Sequence, residues 1–281
     1  MATVSRKGWR RYVNGVNIGA LAIAIAVAAP LYWMVVTSLK PPGDIATTPP
    51  QPLPTEVTGA NYVEAFTQVG FSRYILNSVI VCTVATVLVL ALSTFAGYAL
   101  ARMPMRGRGP LLIALLVISV YPTIAVLTPL YLMERQLGML NTHAGLVVPY
   151  VAFNLPFAVW IMRNFMLGLP KDFEDAARVD GAGPTRTVLS VILPAVRPGL
   201  FTAGIFTFTA TWTEFLMALT FMSEDSARTI PVGIALFGTQ FQVPYGTIFA
   251  AAVAVTLPIA ILVLIFRRSV VSGLTSGAVK G

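Results

Sequence analysis

The sequence predicts an all-α integral membrane protein with six transmembrane helices and one structured loop on the cytoplasmic side. Composition, hydropathy and the placement of basic residues lead to this prediction. Of the 281 residues, 56% are hydrophobic and only 11% are charged, whereas soluble domains carry about 25% charged residues. A chain with so little charge is typical of a membrane protein.

Six apolar segments have the length of about 20 residues that a helix needs to cross the hydrocarbon core. They lie at 14–39, 74–101, 110–133, 144–164, 199–222 and 246–266. The first runs through Trp33 to Leu39, which is too long for a cleaved signal peptide, so we expect an uncleaved span. We therefore predict a basic cytoplasmic N-terminus at 1–13 and one transmembrane domain over 14–281.

Basic residues predict the orientation of the spans. With the N-terminus inside, fifteen of the 19 Lys and Arg residues lie on the cytoplasmic side and four on the outer side. The outer residues are Lys40, Arg73, Arg135 and Arg228. Because cytoplasmic loops are enriched in Lys and Arg, both termini are predicted to be cytoplasmic. The net charge of +8 does not predict nucleic-acid binding, since the basic residues are spread thinly and form no basic face.

Two connections are long enough to be of interest. The outer connection 40–73 is rich in Pro and polar residues and predicts an extended surface loop. The inner connection 166–198 predicts a helix over 171–179, a stop at Gly181 and Gly183-Pro184, and a second helix over 185–193 that ends at Pro194. On physical grounds alone, this pair of helices could be an interfacial element that only connects two spans.

A few polar residues within the spans are candidates for a translocation path. Glu214 lies in the fifth span, where an ionised carboxylate costs about 2.5–3.5 kcal/mol, so it should face protein or water. It either lines a path or is held structurally by a neighbouring helix. Trp212 could stack on a ring of a transported molecule or serve as packing. Weaker candidates are Asn154, Tyr121, Gln240 and Gln242.

Several kinds of chemistry lack their motifs. No GxxxxGK[ST] sequence occurs, so the chain carries no phosphate-binding loop of that kind. Cys82 is the only cysteine and His143 the only histidine, and neither belongs to a cluster of metal ligands. We therefore predict no catalytic residue and no metal site, and a chain that is not itself an enzyme.

The inner connection resembles a known motif. Its residues are similar to the EAA loop of permease subunits in binding-protein-dependent ABC importers. The matching order is Asp175-Ala176-Ala177, three residues, Gly181, nine residues, Val191, one residue and Leu193-Pro194. The sequence departs from the family at Asp175, where Glu is usual, and Glu174 stands just before it. In that family the loop forms a coupling helix that docks on the ATP-hydrolysing subunit.

The resemblance extends over most of the chain. "TWTEFLMAL" at 211–219, "TIPVG" at 229–233 and "GLTSGAVKG" at 273–281 are similar to the second subunit of maltose-type carbohydrate permeases, and Asn61-Tyr62 and Asn77-Ser78 also fit. The coupling residues implied are Glu174, Asp175, Ala176, Ala177, Asp180, Gly181, Ala182, Leu193 and Pro194.

This resemblance implies a function and a set of partners. The chain is expected to be a permease in the cytoplasmic membrane of a prokaryote, moving a disaccharide or oligosaccharide by alternating access. Its expected partners are a homologous second permease, two copies of an ATPase subunit, an extracytoplasmic sugar-binding protein and membrane lipid, without nucleic acid. ATP and magnesium would be bound by the ATPase subunits, and this chain would hold no cofactor.

The outer connection 223–245 is implied to contact the binding protein. Residues 230–241 are too apolar for a solvated loop and too short for a span, so we expect them to fold back toward the pore. Gly238, Thr239 and Gln240 are predicted at the tip, with Ile234, Leu236 and Phe237 packed beneath. Alternatively, this segment only joins two helices at the lipid surface.

Other functions stay open from the sequence. A permease for a polyol or a sugar phosphate would share these motifs. A membrane-embedded enzyme would need two or more catalytic polar residues at one membrane depth, and only Glu214 approaches that pattern. An ion-coupled secondary transporter would favour several intramembrane acids and inverted repeats, neither of which the sequence shows.

Overall fold

The structure is a computed structural model that describes residues 15–67, 70–238 and 243–275. Within these ranges the chain forms helices and loops without any strand, and the predicted all-α class is confirmed. The chain divides into two compact units, one of residues up to Gly70 with Phe237–Ala254, the other of Phe71–Leu236 with the residues from Val255 onward. Helix α14, Tyr245–Thr275, contributes to both units.

The first unit contains the long apolar helix α1, Gly15–Ser38, and the short helices α2, Pro42–Ile45, and α3, Ala60–Thr67. Only Val36, Thr37 and Ser38 of α1 are buried. The remaining apolar surface of this helix is left exposed in the single chain. Lipid or a partner subunit would cover such a surface in a membrane protein.

The connection after α1 is more ordered than the extended loop predicted from its composition. Lys40 is 1% exposed, its Nζ donates to the Gln51 carbonyl at 2.6 Å, and it lies 4.8 Å from the centroid of the Trp33 ring. The Asn61 amide donates to the carbonyls of Ser38 at 2.9 Å and Lys40 at 2.8 Å. Because these buried donors all have acceptors, the polar segment folds without leaving them unsatisfied.

The second unit is built around α4, Phe71–Arg102, and α7, His143–Leu167. These helices approach closely at Gly97, where a Cβ atom would lie 3.0 Å from Cβ of Met162. Small residues permit such close contact between membrane helices. Two apolar clusters form the core of the unit. The buried residues of the first include Val81, Ala85, Leu146, Tyr150, Met217 and Phe221. Those of the second include Val89, Tyr98, Met162, Met166, Val188 and Ile192.

The other helices of this unit are shorter. They are α5, Arg108–Val120; α6, Thr123–Gln136; α8, Asp172–Val179; α9, Pro184–Thr187; a π-helical turn, Val188–Ile192; α10, Leu193–Ala195; α11, Arg197–Trp212; α12, Leu216–Phe221; a 3₁₀ turn, Asp225–Ala227; and α13, Ile230–Ala235. Helices α5 and α6 meet at 90°, and the helical run Pro184–Ala195 meets α11 at 83°.

Four helical segments of the described chain are long and apolar enough to cross a membrane, or up to six if each bent pair is one span. Helices α1, α4 and α7 begin and end within a few residues of the predicted spans 14–39, 74–101 and 144–164. Helix α14 continues to Thr275, beyond the predicted end at 266.

Two predicted spans are not continuous helices. The segment 110–133 breaks between α5 and α6, where Tyr121 is extended with ψ 130°, because a residue before a proline disfavours helical geometry and Pro122 follows. The segment 199–222 breaks between Trp212 and Leu216. Glu214 lies in this second break and accepts hydrogen bonds from the first turn of the helix that follows.

Candidate coupling site and polar residues of the spans

Helix α8 carries the predicted coupling residues. Its first turn contains Asp172, Glu174 and Asp175, whose negative charge suits the positive end of the helix dipole. The helix ends at Val179 with Asp180 as its C-cap, and Gly181 follows with φ of +76°. The Gly181 N–H donates to the Arg178 carbonyl at 3.0 Å, and the Ala182 N–H to the Ala177 carbonyl at 2.9 Å. These two bonds define a Schellman motif, in which glycine readily supplies the left-handed residue.

The two neighbouring acids of α8 have different environments. Glu174 is buried, and its Oε1 lies 2.7 Å from Arg102 Nε, with the two side chains 7% and 8% exposed. Asp175 is 65% exposed and lies 3.4 Å from the exposed Arg178. An exposed pair of this kind contributes about 0–1 kcal/mol. Glu174 is therefore engaged within the chain, while the Asp175 carboxylate faces outward.

The helical run after Gly181 differs from the predicted second helix. It begins at Pro184 and continues through Pro194 to Ala195, instead of ending at Pro194. The Leu193 N–H bonds to the Val188 carbonyl, five residues back, so a π-helical turn precedes the proline, which has no N–H to donate. The second helix is present, but the predicted stop at Pro194 was wrong, because the π-helical turn accommodates the proline within the helical run.

This helical run is fastened to the core of the second unit. Val188 and Ile192 are 2% and 1% exposed and belong to the same apolar cluster as Met162 and Met166 of α7. Leu193 packs against that cluster from its edge. The loop 166–198 is therefore close-packed on the core of this unit, and close-packed side chains transmit strain to their neighbours.

Glu214 caps the short helix α12. Its carboxylate accepts hydrogen bonds from the Tyr150 hydroxyl at 2.7 Å and from the N–H groups of Met217 at 2.9 Å and Ala218 at 3.1 Å. The first N–H groups of a helix have no partner within the helix, so a carboxylate placed there satisfies them. Three donors thus fix the orientation of this acid.

The remaining path candidates lie in different surroundings. Asn154 donates to the Tyr150 carbonyl at 2.8 Å, one turn back along α7, so Tyr150 contacts both Asn154 and Glu214. Trp212 is 4% exposed and stacks on Phe208 with the ring centroids 5.3 Å apart. Tyr121 is 51% exposed at the break between α5 and α6.

The outer connection after α12 is held by the start of α4. The Asn77 amide donates to the carbonyls of Ser226 and Arg228, each at 2.9 Å, and Ser78 Oγ accepts from the Ile230 N–H at 2.9 Å. His143, which is exposed, shares a hydrogen bond of 3.0 Å with Asn77. The first part of this connection, up to Ile230, is therefore held by hydrogen bonds to α4.

The packing of helix α13 differs from the prediction. Ile230 and Val232 are the buried apolar residues, at 2% and 0% exposed, while Leu236 is 48% exposed. The expectation that Leu236 packs beneath the loop was therefore wrong for the single chain, because α13 turns its earlier residues toward α4. Ile234 and Phe237 are half-buried and Gly238 is exposed. Thr239, Gln240 and Gln242 lie outside the described residues.

Sequence reasoning missed three residues that organise these sites. Arg102 pairs with Glu174, Tyr150 with Glu214, and Asn77 with the outer connection. Arg102 was counted only as a cytoplasmic charge. Each partner is remote in sequence, so no local spacing indicates the pairs.

Comparison with known proteins is consistent with this architecture. A family model described as the inner membrane component of binding-protein-dependent transport systems matches residues 90–276. The chain is 36% identical to the sulfoquinovosyl glycerol transport system permease protein SmoH of Agrobacterium fabrum over 100% of both chains. It is 38% identical to the trehalose/maltose transport system permease protein MalG of Thermococcus litoralis, over 94% of this chain and 95% of that one.

Two further matches agree. The trehalose transport system permease protein SugB of Mycobacterium tuberculosis is 39% identical over 98% of this chain and 100% of its own length. Among solved structures, a chain of a bacterial ABC transporter involved in the import of the acidic polysaccharide alginate superposes with a TM-score of 0.78 at 19% identity, over 95% of this chain and 99% of that chain. This last likeness shows the fold.

The chain belongs to the family of binding-protein-dependent transport system inner membrane components. It is a membrane-embedded permease, a component of a transport system and not an enzyme.

Proposed function

We propose that this permease carries a disaccharide or oligosaccharide across the cytoplasmic membrane as part of an ABC importer. The relatives named above serve transport systems for trehalose, maltose and sulfoquinovosyl glycerol, and their similarity extends over at least 94% of this chain. Full-length similarity of this kind favours a shared class of substrate. A saccharide is the class that these named substrates have in common.

The structural observation that supports the coupling role is the amphipathic helix α8. Its buried face, with Glu174 and Ala177, packs inward, while Asp175, Ala176 and Asp180 are exposed. We propose that this exposed face docks on an ATPase subunit, which holds ATP and magnesium. The Schellman turn at Gly181 directs the following run, with Leu193 and Pro194, back to the core.

The proposed assembly contains this chain, a homologous second permease, two ATPase copies and an extracytoplasmic sugar-binding protein. Exposed apolar side chains on α1, α5 and α14 would face lipid or the second permease. The distribution of basic residues supports a cytoplasmic position for both termini and for α8 in this assembly. The outer segment around Phe237 and Gly238 would then face the binding protein.

The proposed mechanism is alternating access, and the packing of the loop 166–198 supports it. When two ATPase subunits close around ATP, the docked α8 moves with them, and the buried Val188 and Ile192 carry that motion to α4 and α7. A packed interface transmits a small displacement because it has discrete packing arrangements and does not deform continuously. Glu214, Tyr150 and Asn154 would hold the break between α11 and α12 in shape beside the path.

Reconstitution of the whole importer in lipid vesicles tests the proposal. ATP is enclosed in the vesicles, and binding protein and labelled trehalose are added outside. We expect ATP-dependent accumulation of the sugar that requires the binding protein. Competition by a polyol or a sugar phosphate, but not by trehalose or maltose, would contradict the proposed substrate class.

A further inference from the structure

The ion pair between Arg102 and Glu174 joins two elements that otherwise have separate places in the fold. Arg102 is the last residue of α4, and Glu174 lies in the first turn of α8. The distance from Nε to Oε1 is 2.7 Å, and both side chains are less than a tenth exposed. The pair is thus a buried ion pair, held by charge, and these two atoms do not meet hydrogen-bond geometry.

Arg102 also binds a third element. Its Nη2 donates at 2.7 Å to the carbonyl of Leu169, which follows the end of α7. One guanidinium therefore connects the end of α4, the end of α7 and helix α8. Arginine suits this position because its planar fork presents several donors in a fixed geometry, which a lysine ammonium does not.

The other contacts of α8 are largely local. The helix packs on the π-helical turn Val188–Ile192 and on α9, which belong to its own loop. Beside the ion pair lies a cavity of about 180 Å³, lined by Tyr98, Met103 and Thr187 among others. Close apolar packing does not fill this part of the boundary between α8 and α4, so Arg102 and Glu174 supply a defined connection there.

A buried ion pair is a weak source of stability, because its desolvation offsets much of its attraction and an apolar pair would pack as well. What the Arg102 guanidinium provides is a specific link, through its hydrogen bond to the Leu169 carbonyl and its charge contact with Glu174. We propose that Arg102 is a positioning residue that joins α8 to α4 and to the end of α7, so that displacement of α8 reaches the core helices directly. The inference rests on the proposed coupling role of α8.

The test uses the complete importer in lipid vesicles and measures ATP hydrolysed per sugar transported. In Arg102→Gln and Glu174→Gln we expect the ATPase subunits to remain bound through the outward face of α8, while sugar transport falls more than hydrolysis. Changes along a coupling route alter coupling by about 0.5–2 kcal/mol, so the ratio should rise roughly 2- to 30-fold. The exchanged pair, Arg102→Glu with Glu174→Arg, should recover part of the loss.

The matched control is Arg106→Gln, an exposed arginine in the same inner connection, which should keep the wild-type ratio. Parallel loss of hydrolysis and transport at an unchanged ratio would overturn the proposal, as would the absence of any recovery in the exchanged pair. If the glutamine variants do not assemble, Arg102→Lys decides, because it keeps the charge without the fork: a raised ratio supports the proposal and a wild-type ratio overturns it. Failure of the wild-type importer to carry any saccharide would instead contradict the proposed function.

Discussion

The Tyr150 hydroxyl donates a hydrogen bond of 2.7 Å to Oε2 of Glu214, and so connects α7 to the break between α11 and α12. The same carboxylate accepts the N–H groups of Met217 and Ala218. An acid in an apolar segment is costly unless it is paired or solvated. Here three donors pair it, so the structure favours a capping role for Glu214.

Glu214→Gln should weaken the second unit. Glutamine has one acceptor oxygen in place of two and adds an amide donor, so it cannot accept from all three donors. We expect a loss of about 1–3 kcal/mol, measured as a lower thermal midpoint of the assembled importer. Tyr150→Phe should lower the thermal midpoint less, and the effects of the two changes together should be less than additive.

The control is Glu224→Gln, a change at an exposed glutamate that should leave the thermal midpoint unchanged. Unchanged stability of Glu214→Gln with altered sugar preference would instead indicate that Glu214 contacts substrate.

Gly181→Val should impair coupling through backbone strain alone. The residue has φ of +76°, and a Cβ atom there would meet no other atom of the described chain within 4 Å. A side chain in the left-handed region costs about 1–2 kcal/mol. Uptake and transport-linked hydrolysis should both fall while the chain still inserts.

Gly183→Val is the matched control, because Gly183 also has open space around it but a φ of −71° that suits any residue before a proline. Gly181→Asn should retain most uptake, since asparagine tolerates the left-handed region. Normal uptake in Gly181→Val would remove the turn from the coupling mechanism.

Asp175→Lys should reduce binding of the ATPase subunit. Asp175 is the exposed acid of the pair, and its contact with Arg178 is worth little to stability. Co-purification of the ATPase with the permease should decline, while the thermal midpoint of the isolated permease stays the same. Full retention of the ATPase would show that another part of α8 makes the contact.

Cysteine at residue 239, in a Cys82→Ala background, should cross-link to the docked binding protein in the ATP-bound state and much less in the resting state. Cys82 is the single cysteine of the sequence, so its removal leaves the introduced cysteine as the only thiol of the chain. Cysteine at Val179, which is 89% exposed on α8, is the control and should not react with the binding protein. Equal cross-linking of residue 239 in both states would favour a segment that only joins two helices.

Local features of the sequence were enough to predict the class of protein and the positions of most long helices. Runs of apolar residues predicted α1, α4 and α7 because span length is a local property of hydropathy. Gly181 predicted the end of α8, since the left-handed residue that follows a helix favours glycine. Pro122 indicates the break at Tyr121, whereas the hydrogen bond to Glu214 in the second break comes from Tyr150, 64 residues away.

The sequence by itself determined that this chain is an apolar, helical permease, and it indicated an acidic motif for which we propose a coupling role. Tertiary structure decided which acid of that motif faces outward, because Glu174 is turned inward by Arg102 and Asp175 is not. It also decided that Asn77 holds an outer connection 149 residues further along the chain. Spans and turns follow from local hydropathy and backbone preference, but the partner of a buried polar group is set by which helices pack together, and that information is not local.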